Sequence, residues 1–510
     1  MRRSPPRWAS ALAIVLNRVR RSFYADSVAL MRVSRALSSQ PGVELASVMI
    51  GTPANNALLR DAGLLDAAGE AASANDLMIA VRGVSEEAAH AALAEADQLL
   101  DSRPAAAPEG VETVRGMDAA LGALPQANLA LISVPGEFAA EEARRALARG
   151  LHVMIFSDNV SIEDEVELKR AAAAKGLLLM GPDCGTSLIA GTALAFANAV
   201  PRGDIGLVSA SGTGLQEVSC LLGRAGHGIS HGIGVGGRDL KDAVGGLMTL
   251  AAIGALDADP ATRHIVVISK PASPAVTARI VARIAQSTKP FTLCLLGAAE
   301  VALPRNARLA LTLHQAAEIA GGFTLRASPP SDLPRRRGSI KGLYTGGTLC
   351  AEAQLILIGQ GLTVSSNVPV PGASKLTRGD APGHTMIDLG DDSFTRGRPH
   401  PMIDPELRNE RLAAAVEHPD TAVVLIDLVI GYGAHPDPAG QVLKALAGTR
   451  RRHAALIASV TGTEQDPQVY SDQVAALRAA GIAVAASNAQ AALWAAQAIA
   501  ALKPAPGRNG

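Results

Sequence analysis

The chain has 510 residues, 48% hydrophobic and 18% charged, with 47 Lys and Arg against 47 Asp and Glu. This composition supports several full cores of Ala, Val, Leu and Ile, and excludes a disordered chain, a collagen, a coiled coil and a disulfide scaffold. Zero net charge and an aromatic content of 3% provide no basic groove and no base-stacking platform, which argues against nucleic-acid binding.

Apolar runs bounded by turn residues alternate with Ala-rich helical stretches along the whole length. This rhythm predicts an α/β protein of several doubly wound parallel-sheet domains, Rossmann-like units first and two flavodoxin-like units after them. Residues 1–17 begin with basic residues and a short apolar stretch. No small-x-small cleavage site follows, so they are expected to be a disordered extension and not a secretory signal. An α/β domain is expected over 18–105, with a helix at Ser27–Leu37 and strands at Glu44–Ile50 and Asp76–Val81. The stretch DSRPAAAPEG (101–110) marks a boundary. A Rossmann-like domain over 110–202 has predicted strands at Leu129–Val134, His152–Ile155 and Leu177–Met180. The third unit, 203–326, opens with Asp204–Ser209. The Pro- and Arg-rich segment 327–338 reads as a linker, and the fourth unit, 339–503, repeats the third unit's plan from Ser339–Tyr344 onward. No run approaches ~18 apolar residues, so no membrane span is expected. Cys184, Cys220, Cys294 and Cys350 form no CxxC or zinc spacing, which points to reduced thiols in a cytoplasmic enzyme.

Two glycine turns carry the chemistry. In IGLVSASGTGLQEVSCLL (205–222) a buried strand runs into Ser211, Gly212, Thr213 and Gly214, and a helix begins. Free amides at a helix start, with the positive end of its dipole, face an anion. The alternative is a helix merely capped by Ser or Thr. SIKGLYTGGTLCAEAQLIL (339–357) has the same construction around Gly346, Gly347 and Thr348. Neither is a P-loop, since no GK[ST] follows. Two such starts on successive units can hold one phosphate between opposed dipoles.

Further candidates lie in loops. HGIGVGGRDL (231–240) offers Gly236, Gly237 and Arg238 for a phosphate or carboxylate, and GPDCG (181–185) offers Asp183. DLGDDSFTRGRPHPMIDPELRNER (388–411) is the densest polar stretch. There Arg398 can fork onto an anion, Asp391 and Asp392 can bind substrate or hold Mg²⁺, and His400 can move protons. The alternative is a salt-bridged loop between domains. In GYGAHPDPAG (431–440), after a buried strand, His435 and Asp437 form a candidate acid–base pair, against the plainer reading of a proline-rich turn.

GPDCGTSLIAG, IGLVSASGTGLQEV and HGIGVGGRDL together resemble the α subunit of succinyl-CoA synthetase, and more closely its FdrA-type acyl-CoA synthetase relatives. LYTGGTLCAEA, the 388–411 stretch and GYGAHPDPAG match that family's C-terminal half. The resemblance runs from about Arg18 to Ala500. It implies two CoA-ligase domains fused in one chain, with the glycine turns as paired phosphate-holding helix starts. The parent's phosphohistidine loop corresponds here to LTLHQAAEIAGG (311–322), where His314 lies without the Gly-His-Ala-Gly sequence. The parent's CoA-binding glycine loop and its ATP-grasp domain have no recognisable counterpart. Relatives serve as a subunit of an oxamate carbamoyltransferase in ureide breakdown. The resemblance therefore implies a phosphate-handling acyl- or carbamoyl-transfer enzyme acting with other subunits. CoA or a nucleotide are possible ligands, and no dedicated protein metal site is implied. The alternatives are an acyl-CoA ligase subunit paired with a separate nucleotide-binding chain, and a non-catalytic scaffold of the same fold.

Overall fold

A computed structural model describes residues 14–500 except 24, 26, 74, 102–113, 115, 299–300, 327, 332, 334–335, 377–382, 396–398 and 451–452. The chain divides into two compact units, Met1–Ala123 with Asp392–Pro399, and Leu124–Asp391 with His400–Gly510.

The first unit is built on an antiparallel sheet in the order Ile14–Arg20, Leu77–Gly83, Val43–Ile50. Alternate residues of the central strand serve different cores. Ile79 and Val81 pack with Leu37, Val48 and Leu93, while Met78 and Ala80 pack with Leu59 and Leu64. Two expectations are corrected here. Residues 14–17 belong to a strand, because the apolar stretch read as part of an extension pairs with Leu77–Gly83. The sheet is also antiparallel, not parallel.

The second unit holds three sheets. Leu129–Ile132, His152–Ile155 and Leu179–Met180 form a short parallel sheet. A seven-stranded sheet follows. It runs Ala307–Leu309, Phe291–Leu295, His264–Ser269, Arg202–Ser209, Ile229–Gly234, Thr186–Ile189, Thr192–Ala195. Its first five members are parallel and have the 2-1-3-4-5 order of flavodoxin-like folds. The hairpin Thr186–Ile189 and Thr192–Ala195 adds to the edge antiparallel. It corrects the expected domain start at 203, since these earlier residues already belong to the sheet.

The other seven-stranded sheet is parallel throughout. It runs Ser374–Lys375, Val364–Ser366, His384–Asp388, Ser339–Tyr344, Thr421–Val429, Ala455–Thr461, Ala483–Ala485. With His384–Asp388 counted as second strand, it has the same 2-1-3-4-5 frame. Four helices pack between the two large sheets: Gly212–Arg224, Leu313–Gly321, Gly347–Gly359 and Asn488–Ala500. One core passes through them, joining Leu207, Val218 and Leu222 to Leu349, Ala353, Ala492 and Ala495. No helix among the described residues is long and apolar enough to cross a membrane.

Candidate functional site

In a 2-1-3-4-5 sheet the direction of winding reverses beside the first strand, and a crevice opens at the carboxyl ends there. Each glycine turn leaves that first strand. In one half, Arg202–Ser209 leads to Ser211, the N-cap of Gly212–Arg224, whose Oγ accepts the Gly214 amide at 2.9 Å. In the other half, Ser339–Tyr344 leads to Gly346, the N-cap of Gly347–Gly359, which has no side chain with which to cap. Asp427, on the adjacent buried strand, replaces it. Its carboxylate accepts the Thr345 and Gly346 amides at 2.7 Å each and the Thr345 hydroxyl at 3.1 Å. Burial raises Asp427 to about 6 against these stabilising bonds. Its own carbonyl accepts from the buried Arg408 at 3.1 Å, and burial lowers that guanidinium to about 10.

The two turns face each other, with the Ser211 and Thr348 hydroxyls 2.5 Å apart. The amides of Gly212, Thr213, Gly347 and Thr348 have no acceptor among the described residues. Both helices thus present unsatisfied amides and positive dipole ends to one place. A small cleft beside the first turn is lined by Asp183, Cys184, Thr186, Ser211, Gly212 and Gly236. Burial pushes the Cys184 thiol up to about 11, which keeps it protonated and inert. Gly236 has φ +84°, and a Cβ there would stand 2.5 Å from the Pro182 carbonyl oxygen, so this glycine serves backbone packing. Open space surrounds Gly237.

Two residues reach the second turn that the sequence reading did not select for the site. The position a Cβ would take on Gly347 lies 2.6 Å from Asp388 Oδ2 and 3.4 Å from Lys270 Nζ. Asp388 ends its strand and is 5% exposed. Burial raises it to about 6, which Lys270 partly offsets. Lys270 directly follows the strand His264–Ser269 of the other half. Asp388 opens the polar stretch 388–411, whereas no pattern distinguishes Lys270, and only the pairing of the halves brings the two together.

Several expected site residues have other partners. Arg238 Nε lies 2.7 Å from the buried Glu165 carboxylate and its NH2 donates to the Val160 carbonyl. Glu165 and Asp239 also flank the buried Lys169 ammonium, at 2.8 and 2.9 Å. Arg238 is therefore part of a structural ion network. His435 Nδ1 accepts the Asp437 amide at 3.0 Å, and Asp437 caps Pro438–Ala447 through the Gly440 amide. That geometry corrects the expected acid–base pair, because the Asp437 carboxylate is spent on a helix start. His400 is half-buried, accepts the Met402 amide, and is lowered to about 4 by desolvation, so it is neutral at neutral pH. Asp391 is half-buried beside Gly390, and Asp392 opens the short helix Asp392–Thr395. Arg398 lies outside the described residues.

His314 sits in the first turn of Leu313–Gly321. Its Nδ1 is 2.8 Å from Ser487 Oγ and its Nε2 is 3.2 Å from Glu318. Below the turns, Glu217 and Glu352 occupy the same place on their two helices. Glu217 accepts the Asn488 amide of the second half at 3.1 Å, and Glu352 accepts the Leu313 amide of the first half at 2.6 Å. Each half thus caps the last helix of the other. A CoA diphosphate would need an open glycine turn after Leu129–Ile132. The close approach at Gly136 is instead to backbone, since a Cβ there would stand 2.1 Å from the Asp158 carbonyl oxygen. Gly136 thus serves the packing of this helix start against the 158–159 backbone.

The chain matches the CoA-ligase family over residues 343–498 and the AllF heavy metal-associated domain over 14–115. Residues 14–115 contain no cysteine, and no group of three or more His, Cys, Asp or Glu among the described residues could hold a metal ion. The donor set there does not fit a heavy-metal centre. The chain is 41% identical to the uncharacterised protein YahF of Escherichia coli K12, over 91% of this chain and 95% of that protein. It is 28% identical to the α subunit of ADP-forming succinate–CoA ligase from Methanothermobacter thermautotrophicus, over 38% of this chain and 64% of that subunit. A solved dinucleotide-forming acetyl-coenzyme A synthetase of Ca. Korarchaeum cryptofilum, in complex with phosphate and ADP, aligns over 74% of this chain and 85% of that chain. Its identity is 15% and its TM-score 0.29.

Proposed function

We propose, from the premise that this chain belongs to the family of YahF and carries a CoA-ligase domain, that it is a subunit of an acyl-transfer enzyme of the acyl-CoA-ligase type. Its paired helix starts hold a phosphate or the phosphoryl end of an acyl phosphate. The Ser211–Thr348 contact carries this reading, because it places unsatisfied amides of both halves around one point. Such dipoles contribute about 0.3–1 kcal/mol each when exposed, and up to about 2 kcal/mol when partly buried. They position charge, and the remaining chemistry falls to partner subunits.

A narrower reading is transfer of a carbamoyl group to or from phosphate. One observation favours it over phosphohistidine chemistry. His314 is engaged by Ser487 and Glu318, and among the described residues no hydrogen bond or ion pair joins it to the glycine turns.

Thermal unfolding with inorganic phosphate, acetyl phosphate and carbamoyl phosphate tests the site, since a ligand of the native state raises Tm. All three are expected to raise it, with no gain from CoA. A Tm unmoved by any phosphate compound would overturn the phosphate site. Labelling from acetyl phosphate at a stable, His314-dependent position would overturn transfer without a phosphohistidine.

A further inference from the structure

Asp388 and Lys270 oppose each other over Gly347, and this has a chemical consequence. A helix start and an ammonium attract any small oxyanion. A buried carboxylate beside them repels it, unless the anion brings a proton to share. The Asp388 side chain meets that description. Oδ1 accepts the Gly390 amide at 3.0 Å, whereas Oδ2 has no hydrogen-bond partner among the described residues and lies 2.6 Å from the position a Cβ would take on Gly347. Lys270 Nζ makes no hydrogen bond or ion pair with the described residues. The neighbouring Asp427 carboxylate is already occupied by the Thr345 and Gly346 amides, so it offers no competing acceptor.

We propose that Asp388 and Lys270 make this site selective for a protonated oxyanion, inorganic phosphate over sulfate. Lys270 and the amides of Gly347 and Thr348 take the charged oxygens. Asp388 Oδ2 accepts the P–OH hydrogen. Phosphate keeps a P–OH through neutral pH and sulfate has none, so sulfate leaves two negative oxygens face to face. Selectivity of this kind follows from an acceptor that only one ligand can satisfy. The inference rests on the phosphate-site reading above and adds to it the identity of the discriminating residues.

Calorimetric titration of the full-length chain with inorganic phosphate and with sulfate, at mildly alkaline pH, tests it. Phosphate is expected to bind about tenfold or more tightly than sulfate, the scale of one hydrogen bond to a charged group. Asp388→Asn, nearly the same shape and able to donate, is expected to bring the two anions to similar affinity by strengthening sulfate. Lys270→Met, a change at an exposed residue, is expected to weaken both anions by a similar factor. Equal binding of phosphate and sulfate by the unchanged protein would overturn the proposal and leave the phosphate site standing. Binding of neither anion would overturn the phosphate site itself. An unchanged preference in a folded Asp388→Asn chain would show that the carboxylate does not discriminate, and the unchanged protein's anion preference decides the matter if that variant does not fold.

Discussion

Glu352 is buried between the two halves and accepts from Asn488 Nδ2 at 2.7 Å as well as from the Leu313 amide. Burial outweighs these bonds and raises its carboxyl to about 7. A folded value above the unfolded value means that the folded chain holds more protons between the two. The stability linked to Glu352 is thus fully present below the unfolded carboxylate range and is lost as pH rises through about 7. Glu352→Gln is expected to flatten the fall of Tm between about pH 5 and pH 8, and a pH series of melting curves for both proteins checks it. Ser211 gives a second prediction. Its Oγ caps the first glycine helix, so Ser211→Ala is expected to cost about 1 kcal/mol in denaturant unfolding. Glu217, Glu352 and Lys270 had no local signature in the sequence, because each one's partner is over a hundred positions away or in the other half.

At the scale of elements, the glycine turns were the most legible feature. A buried strand, a Gly and hydroxyl turn and an amphipathic stretch specify a strand–turn–helix unit from local chemistry alone. The sequence did not show that the second turn has its own internal anion, Asp427, on a different strand. At Gly347 the second turn has no room for a side chain. Gly347→Ala would drive a methyl group to 2.6 Å from Asp388 Oδ2, and is expected to displace that carboxylate and weaken phosphate binding. The same titration reads it, with circular dichroism confirming the fold. The loops at 431–440 and 231–240 were legible as loops but not as sites. Their polar residues cap Pro438–Ala447 and bind Glu165, functions that depend on which helix lies alongside.

At the scale of the molecule, the large unit holds its two seven-stranded sheets through one shared core. Each half packs two of the helices on its own sheet and against the helices of the other half, so separation would expose the apolar helix faces. Cleavage within 326–339 is expected to leave the two pieces associated in size-exclusion chromatography, while 339–500 expressed alone is expected to aggregate or unfold. The network of Lys169, Glu165, Asp239 and Arg238 also joins distant elements. Lys169→Met leaves two buried carboxylates without their ammonium, and is expected to destabilise the chain by about 3–5 kcal/mol in denaturant titration.

By itself the sequence determined the α/β class, the positions of several parallel strands and the two helix starts, since periodicity and turn chemistry act over a few residues. It misplaced the N-terminal edge strand and the Thr186–Ala195 hairpin, whose identity depends on the strands they pair with. Tertiary structure alone decided that the two helix starts meet at Ser211 and Thr348, that Asp388 and Lys270 share the space over Gly347, and that His435 and Asp437 serve a helix cap. Those outcomes depend on distances between segments far apart in the chain, and residue types in order carry no record of such distances.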